Sequence, residues 1–444
     1  MNGSRIPTVY PVGMVVRAML RGGERDMLAL LPNGKHNAPM TRIGHTRRGI
    51  YLVDDPALIR EIMVERVEAF PKNDLFNQAL SPLIGDGVFI ADGAQWEAQR
   101  KHLEPSIRFL RSGEAKSHLN DAAGAACDRL SGIANAAVDL GRFFSAVTAD
   151  VMHRLLFGTP LDGAAATKLH HAFSRFQKDV AAVRLSAILL KPPFRATVQK
   201  PSALQAAQTI REYLRAQIAQ THAAANGPGE TLTSLITHHA PDGADDDWVL
   251  NQVAVYFLAG HETTASTMTW ATLLLAGNAH WSEQWITGDR PVRVAIIKEV
   301  MRLYPAGVFL PRVARDHCRL GSFALRRGNM LLISPWRVHR NANLWPEPER
   351  FDPARFMKGA PTIPAGAYLP FGLGARTCIG GAFSFLEADT VLGALFQRFD
   401  VKIMNTKMVA PRAGLTLSTM EPIMANLRPK HWVTKVSTLD TFVS

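Results

Sequence analysis

Cysteine is scarce in this chain: three residues among 444, Cys127, Cys318 and Cys378, far apart and odd in number, with no C-x-x-C pair. That pattern excludes a disulfide framework and a zinc ribbon, and it suits a reducing compartment. Long apolar runs are missing too. The N-terminal stretch "VYPVGMVV" is too short to span a bilayer and is interrupted by Pro11 and Gly13, and no cleavable signal pattern accompanies it. The expectation is a soluble, cytoplasmic protein without stable membrane insertion. There are no internal repeats, no low-complexity tracts and no arginine-rich tail. The net charge of +12 is therefore spread along the chain. It asks for an anionic partner, and charge alone does not choose between nucleic acid and an acidic protein.

What is present reads as a mainly α chain with small β-sheets. Apolar residues make up 47% and charged residues 20%, ordinary for a globular protein. A chain of 444 residues would by size alone suggest two or three domains. No composition break marks a linker, so one large domain over 1–444 is expected. Strand-like material falls near 40–70 ("RRGIYLVDD") and 310–336 ("DHCRLGSFALRRGNMLLISPW"). Between them "GAQWEAQRKHLEPSI", "SHLNDAAGAACDRLSGIA", "FSAVTADVMHRLLFG" and "SALQAAQTIREYLRAQIAQTHAAANG" follow a helical period, with Gly158 and Gly227 as stops. The stretch "DDDWVLNQVAVYFLAGHETTASTMTWATLLLAG" predicts a helix that is apolar almost all round and crosses the protein interior.

Four short patterns carry chemistry. In "AGHETTAS" (Ala259–Ser266), Ala259 and Gly260 remove bulk, Thr263 and Thr264 can bond back to carbonyls one turn earlier, and Glu262 is a carboxyl that a buried helix tolerates only with a partner. A kinked helix with a solvated glutamate is the plain reading; a proton relay beside a cavity is the sharper one. In "IIKEVMRLYP", Glu299 and Arg302 share a helix face among apolar neighbours, and a buried pair needs a third partner. The segment "WPEPERFDPARF" offers two, Arg350 and Arg355. Finally, "FGLGARTCIGG" (Phe371–Gly381) puts Cys378 in a glycine-rich loop after an arginine and before an apolar helix. An arbitrary free cysteine is most often an inert small hydrophobe.

Taken together and in this order, these stretches resemble the cytochrome P-450 family of haem-thiolate monooxygenases. "FGLGARTCIG" fits F-x-x-G-x-R-x-C-x-G at every fixed position, "AGHETT" fits the central-helix pattern, "EVMR" fits E-x-x-R and "FDPARF" fits F-x-P-x-R-F. Trp96 and Arg100 fit W-x-x-x-R. The resemblance spans about Arg42 to Leu417. It implies the cytochrome P-450 fold, a triangular helical domain with a long central helix over haem. Cys378 becomes the axial thiolate to the iron of haem b, and the haem-binding loop is 371–381. Gly374 and Gly380 let that loop lie flat, and Phe371 covers the sulfur side. Arg376, Trp96 and Arg100 hold the propionates. Arg312 is a weaker candidate, because its register against the family's strand is off by about one residue. The resemblance makes Glu262 and Thr263 the acid–alcohol pair that delivers protons and leaves Thr264 structural. It completes the triad with Arg355, making Arg350 the decoy. The segment before E-x-x-R looks shorter than the family norm.

With no flavin or iron–sulfur domain in the sequence, electrons are expected from a ferredoxin or flavodoxin and its NAD(P)H reductase, docking near Arg100, Lys101 and the Arg376 loop. Nucleic acid is then not expected as a partner, and a monomer is. Phe76, Leu80, Leu83, Phe89, Ile90, Val253, Phe257, Val308, Phe309 and Leu417 suggest a lipophilic small-molecule substrate, although apolar loop residues are more often core than pocket. Arg184, Lys191 and Arg195 flank a candidate lid. A peroxide-using haem-thiolate enzyme and a non-catalytic haem sensor or carrier are the competing readings. Chemistry without delivered protons would not need the Glu262–Thr263 pair.

Overall fold

The computed structural model describes residues 8–10, 26–31, 38–43, 49–132, 137–180, 198–223, 230–405 and 409–430. Gly227, Arg184, Lys191, Arg195, Pro11 and Gly13 lie outside the described residues. The helices that frame the site are α1 (Asp74–Ile84), α2 (Gly93–His102), α3 (Leu140–Phe157), α4 (Gly163–Asp179), α5 (Pro201–Ala223), α6 (Asp246–Ala276), α7 (Arg290–Leu303) and α8 (Gly381–Arg398).

Helix starts follow from side-chain caps. Asn73, Asp139, Asp162, Asp245 and Asp289 each accept from backbone N–H groups in the first turn, satisfying donors that the helix itself leaves free. Gly158 ends α3 in the left-handed region at φ 74°, where glycine carries no side-chain penalty. The 31 residues of α6 give a rod of about 45 Å. Most of its side chains are buried on all sides, as its sequence requires.

Helices α3 and α6 pack directly on each other, and Gly260 explains how. A side chain added there would run into the sulfur and side-chain carbons of Met152. The missing bulk at Gly260 therefore accommodates α3.

Twelve strands occur among the described residues: β1 (Thr8–Tyr10), β2 (Met40–Ile43), β3 (Ile50–Val53), β4 (Ala137–Asp139), β5 (Leu310–Val313), β6 (Cys318–Leu320), β7 (Phe323–Leu325), β8 (Met330–Ile333), β9 (Phe399–Ile403), β10 (Pro411–Ala413), β11 (Leu417–Thr419) and β12 (Met424–Pro429). The largest sheet runs β1-β2-β3-β8-β5. In it β3 pairs parallel with β8, Ile50 opposite Met330, so the two strand-rich ends of the sequence meet in one sheet. β3 and β8 are buried at every residue. A second sheet, β4-β12-β9, and the hairpins β6-β7 and β10-β11 complete the set.

Three expectations need adjusting. Residues 56–69 are short helical turns, not strand; Asp55 caps the first turn with Pro56 at its start. β4 forms far from either strand-rich region, because three residues are too few to show alternation. The helix through "GAQWEAQRKHLEPSI" breaks between His102 and Glu104. Pro105 lacks the N–H needed to continue the ladder.

Candidate active site

Cys378 sits three residues before the start of α8. Its N–H donates to the Phe371 carbonyl at 2.9 Å, closing the loop on itself. The N–H groups of Gly380 and Gly381 donate towards its sulfur, while burial pushes the thiol up. Yet the residue presents accessible surface. Gly374 holds φ 73°, and a side chain there would strike the Met63 carbonyl oxygen. Its glycine is thus demanded by the neighbouring backbone. Phe371 packs its ring against Gly381 and lies 5.6 Å from the Phe385 ring.

A cluster of cations gathers near this loop. Arg376 donates to the Ala91 carbonyl at 2.9 Å and to the Asp92 carboxylate, and its guanidinium lies 3.8 Å from the centre of the Trp96 ring. Arg312 is buried on β5; loss of hydration pushes it down to about 10, with Asp92 pulling the other way. Lys72, bridged to Arg312 through the backbone, donates to the carbonyls of Val88, Phe89 and Ala91. Burial, then the Arg376 and Arg312 charges, push it down to about 7. Three cations thus share one close carboxylate, Asp92. This excess of buried positive charge is costly unless an anion completes it, and a ligand bearing two carboxylates would do so. Arg100 takes another course: it pairs with Glu104 at 2.8 Å on the partly exposed rim.

On α6 the exposure pattern marks one point of entry. Helix residues on either side are buried, whereas Ala259 is exposed and Gly260, Glu262 and Thr263 are half-buried. The Thr263 hydroxyl donates to the Ala259 carbonyl at 2.7 Å, the back-bond expected of it. Glu262 is met by Ser145 of α3 at 3.3 Å and by His261 at 3.5 Å. Thr264 is buried and donates to the carboxyl of Glu387 on α8, which burial pushes up to about 8.

The triad assembles around a side chain with no solvent exposure. Arg302 forks onto Glu299 at 2.7 and 2.8 Å and also donates to the carbonyls of His339, Pro348 and Arg350. Arg355 Nε lies 3.5 Å from the same carboxylate. Arg350 contributes only its carbonyl; its side chain is exposed and pairs with Glu347. His339 Nε2 accepts the Leu369 N–H at 2.8 Å, and burial pushes this imidazole down to about 3. The triad is therefore tied to the chain two residues before Phe371.

Most of the substrate-contact candidates are part of the main hydrophobic cluster. Leu80, Leu83, Val253, Phe257, Val308, Phe309 and Leu417 are buried in the main hydrophobic cluster, which Phe76 and Ile90 join at its edge. Phe89 differs, at 47% exposed. Lys72, Ser145 and Glu387 were not picked out from sequence. Lys72 had a faint signal, a lysine just ahead of an asparagine-capped helix; the other two had none.

The fold and the thiol-bearing loop define a haem-thiolate protein. The Cytochrome P450 family model matches residues 14–285 and 287–426; the chain belongs to the cytochrome P450 family and is a cytochrome P450 monooxygenase. It is 26% identical over 434 residues to cyclooctatin synthase of Streptomyces melanosporofaciens, covering 93% of each chain. Cyclooctat-9-en-7-ol 5-monooxygenase of the same organism is 27% identical over 386 residues, with 81% and 82% covered. Among solved structures, CYP175A1 of Thermus thermophilus superposes with a TM-score of 0.75 at 25% identity, covering 95% of this chain and 100% of that one.

Proposed function

We propose that this enzyme inserts one oxygen atom from dioxygen into a lipophilic small molecule, using electrons from separate carrier proteins. The observation that carries the reading is the Cys378 loop: an accessible thiol with the Gly380 and Gly381 N–H groups aimed at its sulfur. Two such donors stabilise a thiolate and moderate the charge it passes to a metal. The donor set fits haem b. The Cys378 thiolate would hold the iron, and the excess charge of Lys72, Arg312 and Arg376, flanked by Trp96, would hold two propionates. Haem so ligated supplies oxygen activation, the thiolate favouring O–O cleavage.

The chain's own residues do the rest. Glu262 holds and releases protons at its carboxyl, and the Thr263 hydroxyl, half-buried beside exposed Ala259, passes them towards the cavity. Phe371 shields the sulfur side from water. Phe89, exposed at 47%, offers an apolar contact for substrate. Relatives named for cyclooctat-9-en-7-ol and for 11-oxo-beta-amyrin support a lipophilic substrate. The net charge of +12 and exposed Lys101 favour an acidic ferredoxin or flavodoxin, supplied by an NAD(P)H reductase in the cytoplasm.

The test is turnover under oxygen-18 with a ferredoxin, its reductase and a panel of lipophilic substrates. One labelled oxygen atom in product, dependent on the carrier, supports the reading. Product formed only from peroxide, or label only from water, would refute it.

A further inference from the structure

Glu262 is a carboxylate on a helix with few polar neighbours, and two side chains account for its position. Ser145 Oγ lies 2.9 Å from His261 Nε2 and 3.3 Å from Glu262 Oε1. A hydroxyl carries one proton, so it donates to one of these two neighbours and accepts from the other. An ionised carboxylate only accepts. Burial, above all, pushes the His261 imidazole down, which favours the neutral ring with a single proton. Nδ1 meets no partner, and the rings of Phe173 and Phe257 stand 5.0 and 5.7 Å from the imidazole centre. A proton on Nδ1 would be a buried donor with no acceptor, which is costly. The proton therefore belongs on Nε2. His261 donates to Ser145, and Ser145 donates to Glu262.

We propose that His261 and Ser145 form a two-bond clamp that holds the Glu262 carboxylate against α3, making both of them positioning residues for proton delivery. The proposal rests on the reading of Glu262 and Thr263 as the proton-handling pair. In the clamped state the Thr263 hydroxyl is bound to the Ala259 carbonyl and the carboxylate to Ser145, so the clamp fixes the acid beside the alcohol it serves. The titratable groups that sense the clamped carboxylate are His261 on its own helix and His170 on α4, and His170 in turn senses Arg142, His171 and Asp139. Half-buried His170 is held below its usual range by burial, while the Glu262 charge pulls it up. The position of residue 261 follows from the helix: it precedes the acid by one residue, and its ring turns towards α3 and α4.

The experiment pairs a spectroscopic readout with a partition of electrons. Histidine labelled with nitrogen-15 is observed in the reduced, carbon monoxide-bound holoenzyme, the signal of residue 261 being assigned by its loss in His261→Phe. The expected tautomer carries its proton on Nε2. A proton on Nδ1 would overturn the clamp, because Ser145 would then donate to the ring and leave the carboxylate unheld. In parallel, the share of NAD(P)H electrons lost as hydrogen peroxide is measured for Ser145→Ala, His261→Phe and the double variant. A hydrogen bond to a charged group biases a two-state equilibrium by about tenfold or more. Each single variant is therefore expected to raise the peroxide share about threefold or more, the double variant no further, and Ser145→Thr, which keeps the hydroxyl, to restore it. Unchanged peroxide in both single variants, or effects that simply add, would overturn the proposal. Glu262→Gln separates the two levels. If it leaves the peroxide share unchanged, the proton-pair reading fails, whatever the tautomer of His261.

Discussion

Replacing Arg302 by alanine should cost more than any other single arginine truncation near the haem loop. Neither Arg302 nor Glu299 has side-chain exposure, so the substitution strands a buried carboxylate. Three carbonyl oxygens, of His339, Pro348 and Arg350, lose their donor as well. Breaking a buried pair on one side costs about 3–5 kcal/mol, a large part of a total stability that for most proteins lies near 5–15 kcal/mol. Arg350→Ala removes a pair whose side chains are 63% and 68% exposed, where the expected cost is about 0–1 kcal/mol. Arg355→Ala should fall between, since its Nε stands 3.5 Å from Glu299 and its side chain is 12% exposed. The His339–Leu369 bond carries the damage towards Phe371, so Arg302→Ala should also lose haem faster. Equilibrium denaturation of the three variants, with haem retention followed by absorbance, gives the ranking. Arg302→Ala within about 1 kcal/mol of wild type, or Arg350→Ala as damaging as Arg302→Ala, would refute the reasoning.

Other expectations follow from the same contacts. Glu387, pushed from 4.5 up to about 8, contributes stability that is full below pH 4.5 and is lost as pH rises towards 8. Its share of the slope is at most about 1.4 kcal/mol per pH unit. Glu387→Gln should flatten the denaturation midpoint across that window; an unchanged slope would show that Glu387 is ionised throughout. Gly260→Ala should destabilise by about 1–3 kcal/mol through overpacking against Met152, and Met152→Ala should restore part of the loss in thermal melts. Neutralising Lys101 as Lys101→Gln should slow reduction by an acidic carrier at low salt, with the difference closing as ionic strength rises. Stopped-flow reduction at two salt concentrations decides it, and a rate equal to wild type at low salt would remove Lys101 from the docking face.

The central helix, the buried pair and the thiol loop were legible because each is written in contiguous residues. An apolar run opened by Asp245 and closed by Gly277, a glutamate three residues before an arginine, and a cysteine between glycines all carry their meaning locally. Choosing Arg355 over Arg350 needed the family register, and the geometry agrees with that choice. What escaped was set by distant neighbours. Lys72 meets Arg312 across some two hundred and forty residues of sequence, and the lysine ahead of the Asn73 cap in "FPKND" gives only a faint sign of it. Ser145 reaches Glu262 only because α3 packs on α6. Gly374 was read as room for a flat porphyrin, whereas the Met63 carbonyl already makes glycine necessary.

The most direct test is the absorbance of the purified holoenzyme, reduced and then exposed to carbon monoxide. A strongly red-shifted Soret band, absent in Cys378→Ala, is the predicted result and would establish Cys378 as the thiolate ligand. A band typical of histidine ligation, or one that survives in Cys378→Ala, would contradict the assignment of Cys378 and the mechanism built on it.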